Sequence, residues 1–352
     1  MNQGLRRLRF PLLALGFLVL LMGMWAGLLR IGWDLPRLRG AFPASHGPLM
    51  VSGFLGTLIG LERAVALGQA WSYSAPLLTG LGAVALILGL PSQWLMVLGS
   101  LGFVAVFLAI VRRQTTVFTI AMAGGAVAWF VGNLLWAAGT PLFRAVPWWI
   151  AFLTLTIAGE RLELSRLVRL SAGSRSAFVI ALGLFSVGIV VSPFWFMGGL
   201  RISGVAMVAL ALWFLLQDIV RRTVREPGLP RFTAICLLSG YAWLGLSGLA
   251  TLFFFGEPAG PRYDAILHTF FLGFVFAMIF GHAPIIFPAI LGLPLSFQPS
   301  FYAHLILLHL SLALRVASDL LLWIPGRRWG GLLNVLALLV FLGNTLRARR
   351  RG

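Results

Sequence analysis

The sequence predicts an all-α integral membrane protein of about twelve transmembrane helices, and three observations carry that prediction. Sixty per cent of the 352 residues are hydrophobic and only 10% are charged, against roughly 25% charged in a soluble domain. Apolar runs of about twenty residues, the length that crosses a hydrocarbon core of roughly 30 Å, recur from end to end. No period-2 alternation of the kind a membrane β-barrel needs is visible. Lipid offers no partner to open backbone groups, so the spans are helical.

The runs place helices at approximately 10–32, 44–67, 74–91, 93–112, 115–138, 146–168, 175–193, 198–220, 232–255, 263–290, 299–323 and 329–347. The first follows Arg6-Arg7-Leu8-Arg9, a start with the charge of a secretory signal. Its apolar run continues to about Trp33 without a small-residue cleavage site, which marks a retained helix. Pro91, Pro141, Pro193, Pro227, Pro230, Pro258, Pro261, Pro294 and Pro325 fall between runs, where helix breakers belong. Connections are at most about twelve residues long, so residues 1–352 read as a single membrane domain.

The formal charge is +18 and all 27 basic residues are Arg. In a soluble protein this excess would suggest nucleic acid. Here no basic soluble domain exists to bind it, and the arginines flank apolar runs. They set topology and meet anionic lipid headgroups of the bilayer. With the N-terminus inside, Arg6, Arg7, Arg9, Arg63, Arg112, Arg113, Arg161, Arg166, Arg169, Arg175, Arg221, Arg222, Arg225, Arg231, Arg347, Arg349, Arg350 and Arg351 fall on the inner side, eighteen in all. Arg30, Arg37, Arg39, Arg144, Arg201, Arg262, Arg327 and Arg328 make eight outside, with Arg315 inside a helix. This bias puts both termini in the cytoplasm of a bacterial-type inner membrane. The single cysteine, Cys236, excludes an intrachain disulfide and a cysteine metal cluster. A short echo, Ile59-Gly60-Leu61-Glu62-Arg63 and Ile157-Ala158-Gly159-Glu160-Arg161, raises the prospect of three four-helix repeats.

Histidine is the informative residue because five occur: His46, His268, His282, His304 and His309. In the expected topology His46 opens helix two and His268 lies in the first turns of helix ten, at comparable depth near the outer face. Two imidazoles at one depth suit the axial positions of a haem iron. Below His46, Met50, Gly53, Thr57 and Gly60 follow at helical spacing on one side. Small residues there leave room for a flat macrocycle or for a neighbouring helix, and such stripes more often mean tight helix packing than a cofactor slot. Fourteen residues separate His268 from His282, about 21 Å along a helix and within roughly 40° of one face. A second haem or copper site using His282 with His304 or His309 is therefore an open alternative. The plainer reading has these three hydrogen-bonding between helices.

Ionisable residues inside a membrane cost about 2.5–3.5 kcal/mol each on insertion scales and need partners. Arg315 and Asp319 stand at the spacing of an ion pair; the other reading sets Arg315 against haem propionates. Glu62-Arg63, Glu160-Arg161 and Glu163 either pair across helices or form a cytoplasmic-side proton or substrate cluster. Trp148, Trp149, Trp323 and Trp329, near helix ends, read as interfacial anchors. Neither a phosphate loop, a dinucleotide fingerprint nor HExxH occurs.

His46-Gly47-Pro48-Leu49-Met50 resembles the His-Gly-x-x-Met that opens helix two in subunit I of haem–copper oxidases. His268-Thr-Phe-Phe-Leu-Gly-Phe-Val-Phe-Ala-Met-Ile-Phe-Gly281, continuing to Pro288 and Gly292, resembles their helix ten, with His268 on the low-spin ligand. Ile266 stands where that family has its high-spin ligand, and helices six and seven lack the histidines of the oxygen-reducing centre. The run Phe301-Tyr302-Ala303-His304 to Leu314-Arg315-Val316 is similar to the NnrS family, membrane haem proteins of the nitric-oxide response. The resemblance implies a reduced subunit I-like bundle holding haem b at His46 and His268, with Met50, Gly53 and Arg315 nearby. Such a protein would serve electron transfer or nitric-oxide handling without oxidase catalysis, with a redox partner or quinone left open. A cofactor-free transporter or channel is the alternative, and a membrane assembly factor a third.

Overall fold

The computed structural model describes residues 3–167, 170–254, 256–292 and 294–348. Arg169, Arg349, Arg350 and Arg351, counted above on the inner side, lie outside the described residues. The described residues are helical with no strand. Twelve helices are long and apolar enough to cross a membrane: α1 (Arg7–Arg30), α2 (Phe42–Leu67), α3 (Ala70–Leu88), α4 (Gln93–Arg113), α5 (Val117–Ala137), α6 (Leu142–Leu164), α7 (Ala172–Val191), α8 (Phe196–Gln217), α9 (Leu229–Phe254), α10 (Pro261–Leu291), α11 (Phe301–Leu320) and α12 (Ile324–Arg347). The chain is thus a multi-pass membrane protein, and each expected run corresponds to one span.

The ends differ for a physical reason. Pro230, Pro261 and Pro325, expected between helices, sit instead in the first turns of α9, α10 and α12. A first-turn amide has no helical acceptor, so proline loses nothing there and its fixed φ starts the helix. Three spans end instead on glycines in the left-handed region: Gly68 after α2, Gly89 after α3 and Gly292 after α10, with φ of 70°, 78° and 71°.

The chain divides into two compact units, Met1–Glu160 and Arg161–Gly352. The division falls in the last turn of the sixth span rather than after the fourth or eighth. In the first unit, Trp129 stacks on Phe152 with ring centroids 4.9 Å apart, and Phe103 meets Trp129 edge-on at 5.4 Å. A polar network lies within this aromatic core. Ser52 donates to Asn133 Oδ1 (2.7 Å), Trp149 Nε1 donates to the same oxygen (3.1 Å), and Trp129 Nε1 donates to Ser52 (3.2 Å). Trp149 is fully buried here, so it is a core residue and not the interfacial anchor expected. Trp323 and Trp329 are exposed.

In the second unit, α7, α8 and α9 pack through small residues. A Cβ on Gly188 would stand 2.7 Å from the Gly199 carbonyl, and one on Gly248 would stand 2.7 Å from the Gly204 carbonyl. Such close backbone approach is how membrane helices associate where lipid supplies no hydrophobic drive.

Among the described residues, two spans carry π-helical stretches. Leu49–Leu55 within α2 and Thr269–Phe276 within α10 are π-helical. π-Helical turns are uncommon and recur at functional sites. One lies in each unit, and each follows a histidine within three residues.

Candidate functional site

In the first unit, His46 follows the 3-10 turn Phe42–Ser45 that opens α2, and its ring rests on the backbone of α1. A Cβ on Gly27 would stand 2.8 Å from His46 Nδ1, and one on Gly23 would stand 2.7 Å from Met50 Sδ. Gly23 and Gly27 are four apart and so share a face of α1. Their missing side chains let His46 Nδ1 reach the Gly23 carbonyl at 2.8 Å. A carbonyl only accepts, so Nδ1 carries the hydrogen and the neutral ring keeps its lone pair on Nε2. Arg39, in the α1–α2 connection, steadies the approach. Its guanidinium donates to Ser45 Oγ (3.0 Å) and to the Leu86 carbonyl at the end of α3 (2.6 Å).

In the second unit, His268 closes the first two turns of α10 in the same manner. Its Nδ1 donates to the Asp264 carbonyl one turn back, at 2.8 Å, and stands 3.4 Å from Asp264 Oδ2. The lone pair again falls on Nε2. Asp264 is held by Arg315 of α11, whose Nε and Nη2 lie 3.0 and 2.8 Å from Oδ2. Arg327 of α12 lies 3.5 Å from Asp264 Oδ1 and pairs with Asp319 at 3.0 Å. The ion pair expected between Arg315 and Asp319 is therefore replaced by two pairs to other helices. The π-helical stretch begins at the next residue, Thr269, whose hydroxyl donates to the Ala265 and Ile266 carbonyls (2.9 and 2.8 Å).

The stripe below His46 is filled by helices of its own unit. Positions beside Gly53 hold Val19 of α1 and Ala83 of α3, to which a Cβ would stand 2.7 and 3.0 Å away, and Gly60 faces Pro76 of α3. Thr57 is buried between them. Of the two readings of these small residues, helix packing is what this face does.

The remaining histidines have separate surroundings. His282 Nδ1 donates to the Met278 carbonyl at 2.7 Å, and Arg161 Nη1 faces its Nε2 at 3.4 Å. A guanidinium at the acceptor nitrogen opposes a metal cation there. His309 accepts from Trp243 Nε1 on Nδ1 (3.0 Å) and donates from Nε2 to Ser239 (2.9 Å), so both nitrogens are used. His304 accepts from Asn344 (3.2 Å) and lies among the rings of Phe232, Phe280, Phe301 and Phe341. Helical arithmetic from His268 to His282 does not carry across the intervening π-helical stretch, which winds more residues into each turn. Among the described residues no group of three or more His, Cys, Asp or Glu could hold a metal ion.

The carboxylate–arginine motifs do pair across helices. Arg63 bonds Glu160 and also faces Glu62 at 3.6 Å. Arg161, next to Glu160, grips Asp218 instead, with both oxygens at 2.8 Å. Tyr241 adds a third bond to Asp218 at 2.8 Å. Arg161 and Asp218 are 3% and 4% exposed, so this ion pair is deeply buried. Asp218 carries no local sequence signal, because nothing near it in the chain marks its partner.

A family model described as a domain of unknown function, DUF8744, matches residues 9–350. No curated protein matches the chain.

Proposed function

We propose that this chain, which belongs to the DUF8744 family along nearly its whole length, is a membrane haem b protein in which His46 and His268 are axial iron ligands. The observation that carries this reading is the local preparation of the two rings. Each commits Nδ1 to a backbone carbonyl at 2.8 Å and leads into a π-helical stretch. A ligating histidine needs its second nitrogen occupied in this way, because that fixes tautomer and ring orientation. His309 uses both nitrogens otherwise, and His282 has Arg161 at its acceptor.

A bound haem would supply one-electron redox chemistry or gas binding at iron. With His46 and His268 both holding the iron, the haem would serve electron transfer rather than direct nitric-oxide binding. The likeness to NnrS and to oxidase subunit I supports the same reading, as does Ile266 in place of a high-spin ligand. Both termini would be cytoplasmic in a bacterial-type inner membrane, with a quinone or redox protein as electron partner.

The test is the reduced-minus-oxidised visible spectrum of protein purified from haem-replete cells. The expected result is a b-type spectrum whose Soret band is lost or shifted in both His46→Ala and His268→Ala. A folded, colourless parent protein overturns the reading. That outcome would favour a transporter or channel, for which the buried Arg161–Asp218–Tyr241 group is the supporting observation.

A further inference from the structure

We infer that Asp264 is the positioning residue of His268, and that Arg315 holds it in that role; the inference rests on the haem reading above. Asp264 and His268 are four residues apart on α10, so their side chains share one face. One residue approaches the ring twice: its carbonyl lies 2.8 Å from Nδ1 and its Oδ2 lies 3.4 Å away. Oδ2 is also the oxygen that takes both the Nε and Nη2 bonds of Arg315. A single carboxylate oxygen therefore links the guanidinium fork to the imidazole.

A purely structural ion pair does not require the ring. Asp319 shows the contrast within the same cluster. It is 1% exposed and pairs with Arg327, whereas the carboxylate 3.4 Å from the ring is that of Asp264. Arg315 and Arg327 both face the Asp264 carboxylate, Arg315 on Oδ2 and Arg327 on Oδ1. A carboxylate behind a ligating imidazole fixes its tautomer and raises its basicity, and losing such a partner costs about 10–100-fold in metal affinity. A more basic ligand stabilises ferric over ferrous iron. Asp264 would thus lower the midpoint potential and tighten haem retention.

The experiment is potentiometric titration of purified holoprotein, with haem-to-protein ratio measured alongside, for the parent, Asp264→Asn, Asp264→Glu and Asp319→Asn. Asp264→Asn is expected to raise the midpoint potential and weaken haem retention about 10–100-fold. Asp264→Glu should recover much of both. Asp319→Asn alters the other carboxyl group of the same cluster, the one paired with Arg327, and should shift the potential less. Equal shifts in Asp264→Asn and Asp319→Asn, or none in the former, would overturn the assignment while leaving the haem reading intact. A parent without haem would overturn both. If Asp264→Asn does not fold, Arg315→Lys takes its place. It keeps the charge but loses the fork, and an unchanged potential in that variant counts against the inference.

Discussion

Gly27 lies so close to His46 that a Cβ on it would stand 2.8 Å from the ring nitrogen Nδ1 and 2.9 Å from Cε1. The seat of the proposed ligand is therefore a gap in α1. Gly27→Ala should displace the ring and break its bond to the Gly23 carbonyl. Alanine in a helix interior is otherwise favoured over glycine by roughly 0.5–1 kcal/mol, so the helix itself should survive. Gly16→Ala is the matched control, since its Cβ would meet only Thr57 Cγ2 at an ordinary 3.8 Å. Haem content per protein should fall several-fold in Gly27→Ala and stay at the parent value in Gly16→Ala. Equal haem content in the two would show that the seat is not needed.

Asp218 is gripped by both arms of Arg161 and by Tyr241, all out of water. Removing one partner leaves an uncompensated buried charge, at a cost of about 3–5 kcal/mol. Asp218→Ala should lower the unfolding temperature in detergent accordingly. Arg161→Met combined with Asp218→Leu removes both charges and should recover most of the loss. If the double variant is as unstable as the single one, the pair is not acting as a charge pair.

These pairings show where sequence reading stops. The twelve spans are legible because apolar length is a local property of each run. Ion-pair choice is not local. Glu160 and Arg161 are neighbours in sequence, but adjacent helical residues point roughly 100° apart. Glu160 therefore meets Arg63, and Arg161 meets Asp218 across 57 residues of chain. Arg315 and Asp319 stand at ion-pair spacing, yet Asp264 and Arg327 outcompete that pairing. The π-helical stretches carry no compositional mark either. They coincide with contacts made elsewhere, Ser52 onto Asn133 and Gly273 against Trp243. One signal is readable from sequence alone: Gly23 and Gly27 form a small-xxx-small pair in the first span. His46 and His268 stand out in the sequence by rarity and position, but their Nδ1 partners are backbone atoms that no side-chain pattern announces.

Asn133 holds the polar core of the first unit together. Its Oδ1 accepts from Ser52 and Trp149 at 2.7 and 3.1 Å. Asn133→Leu would strand the indole N–H of a fully buried Trp149, and an unsatisfied buried donor costs about 1–3 kcal/mol. Ser52→Ala removes one donor, but Trp129 then loses its acceptor as well. Both variants should unfold at lower temperature and lose near-ultraviolet circular dichroism from the two tryptophans. A spectrum unchanged in Asn133→Leu would count against this network as the organiser of the core.

The histidines outside the proposed ligand pair should prove structural. His309 bridges Trp243 and Ser239 with both ring nitrogens, so binding a metal would cost it a hydrogen bond. His282 presents its acceptor nitrogen to Arg161, whose positive charge repels a cation at the same position. His304 has Nδ1 on Asn344 and its other edge among four phenylalanine rings, which offer no second ligand. His309→Ala should therefore destabilise the fold by about 1–3 kcal/mol through the stranded Trp243 N–H. Haem and copper content per protein should match the parent in His282→Ala, His304→Ala and His309→Ala. A loss of one metal or one haem equivalent in His282→Ala, with stability kept, would instead establish a second site on α10.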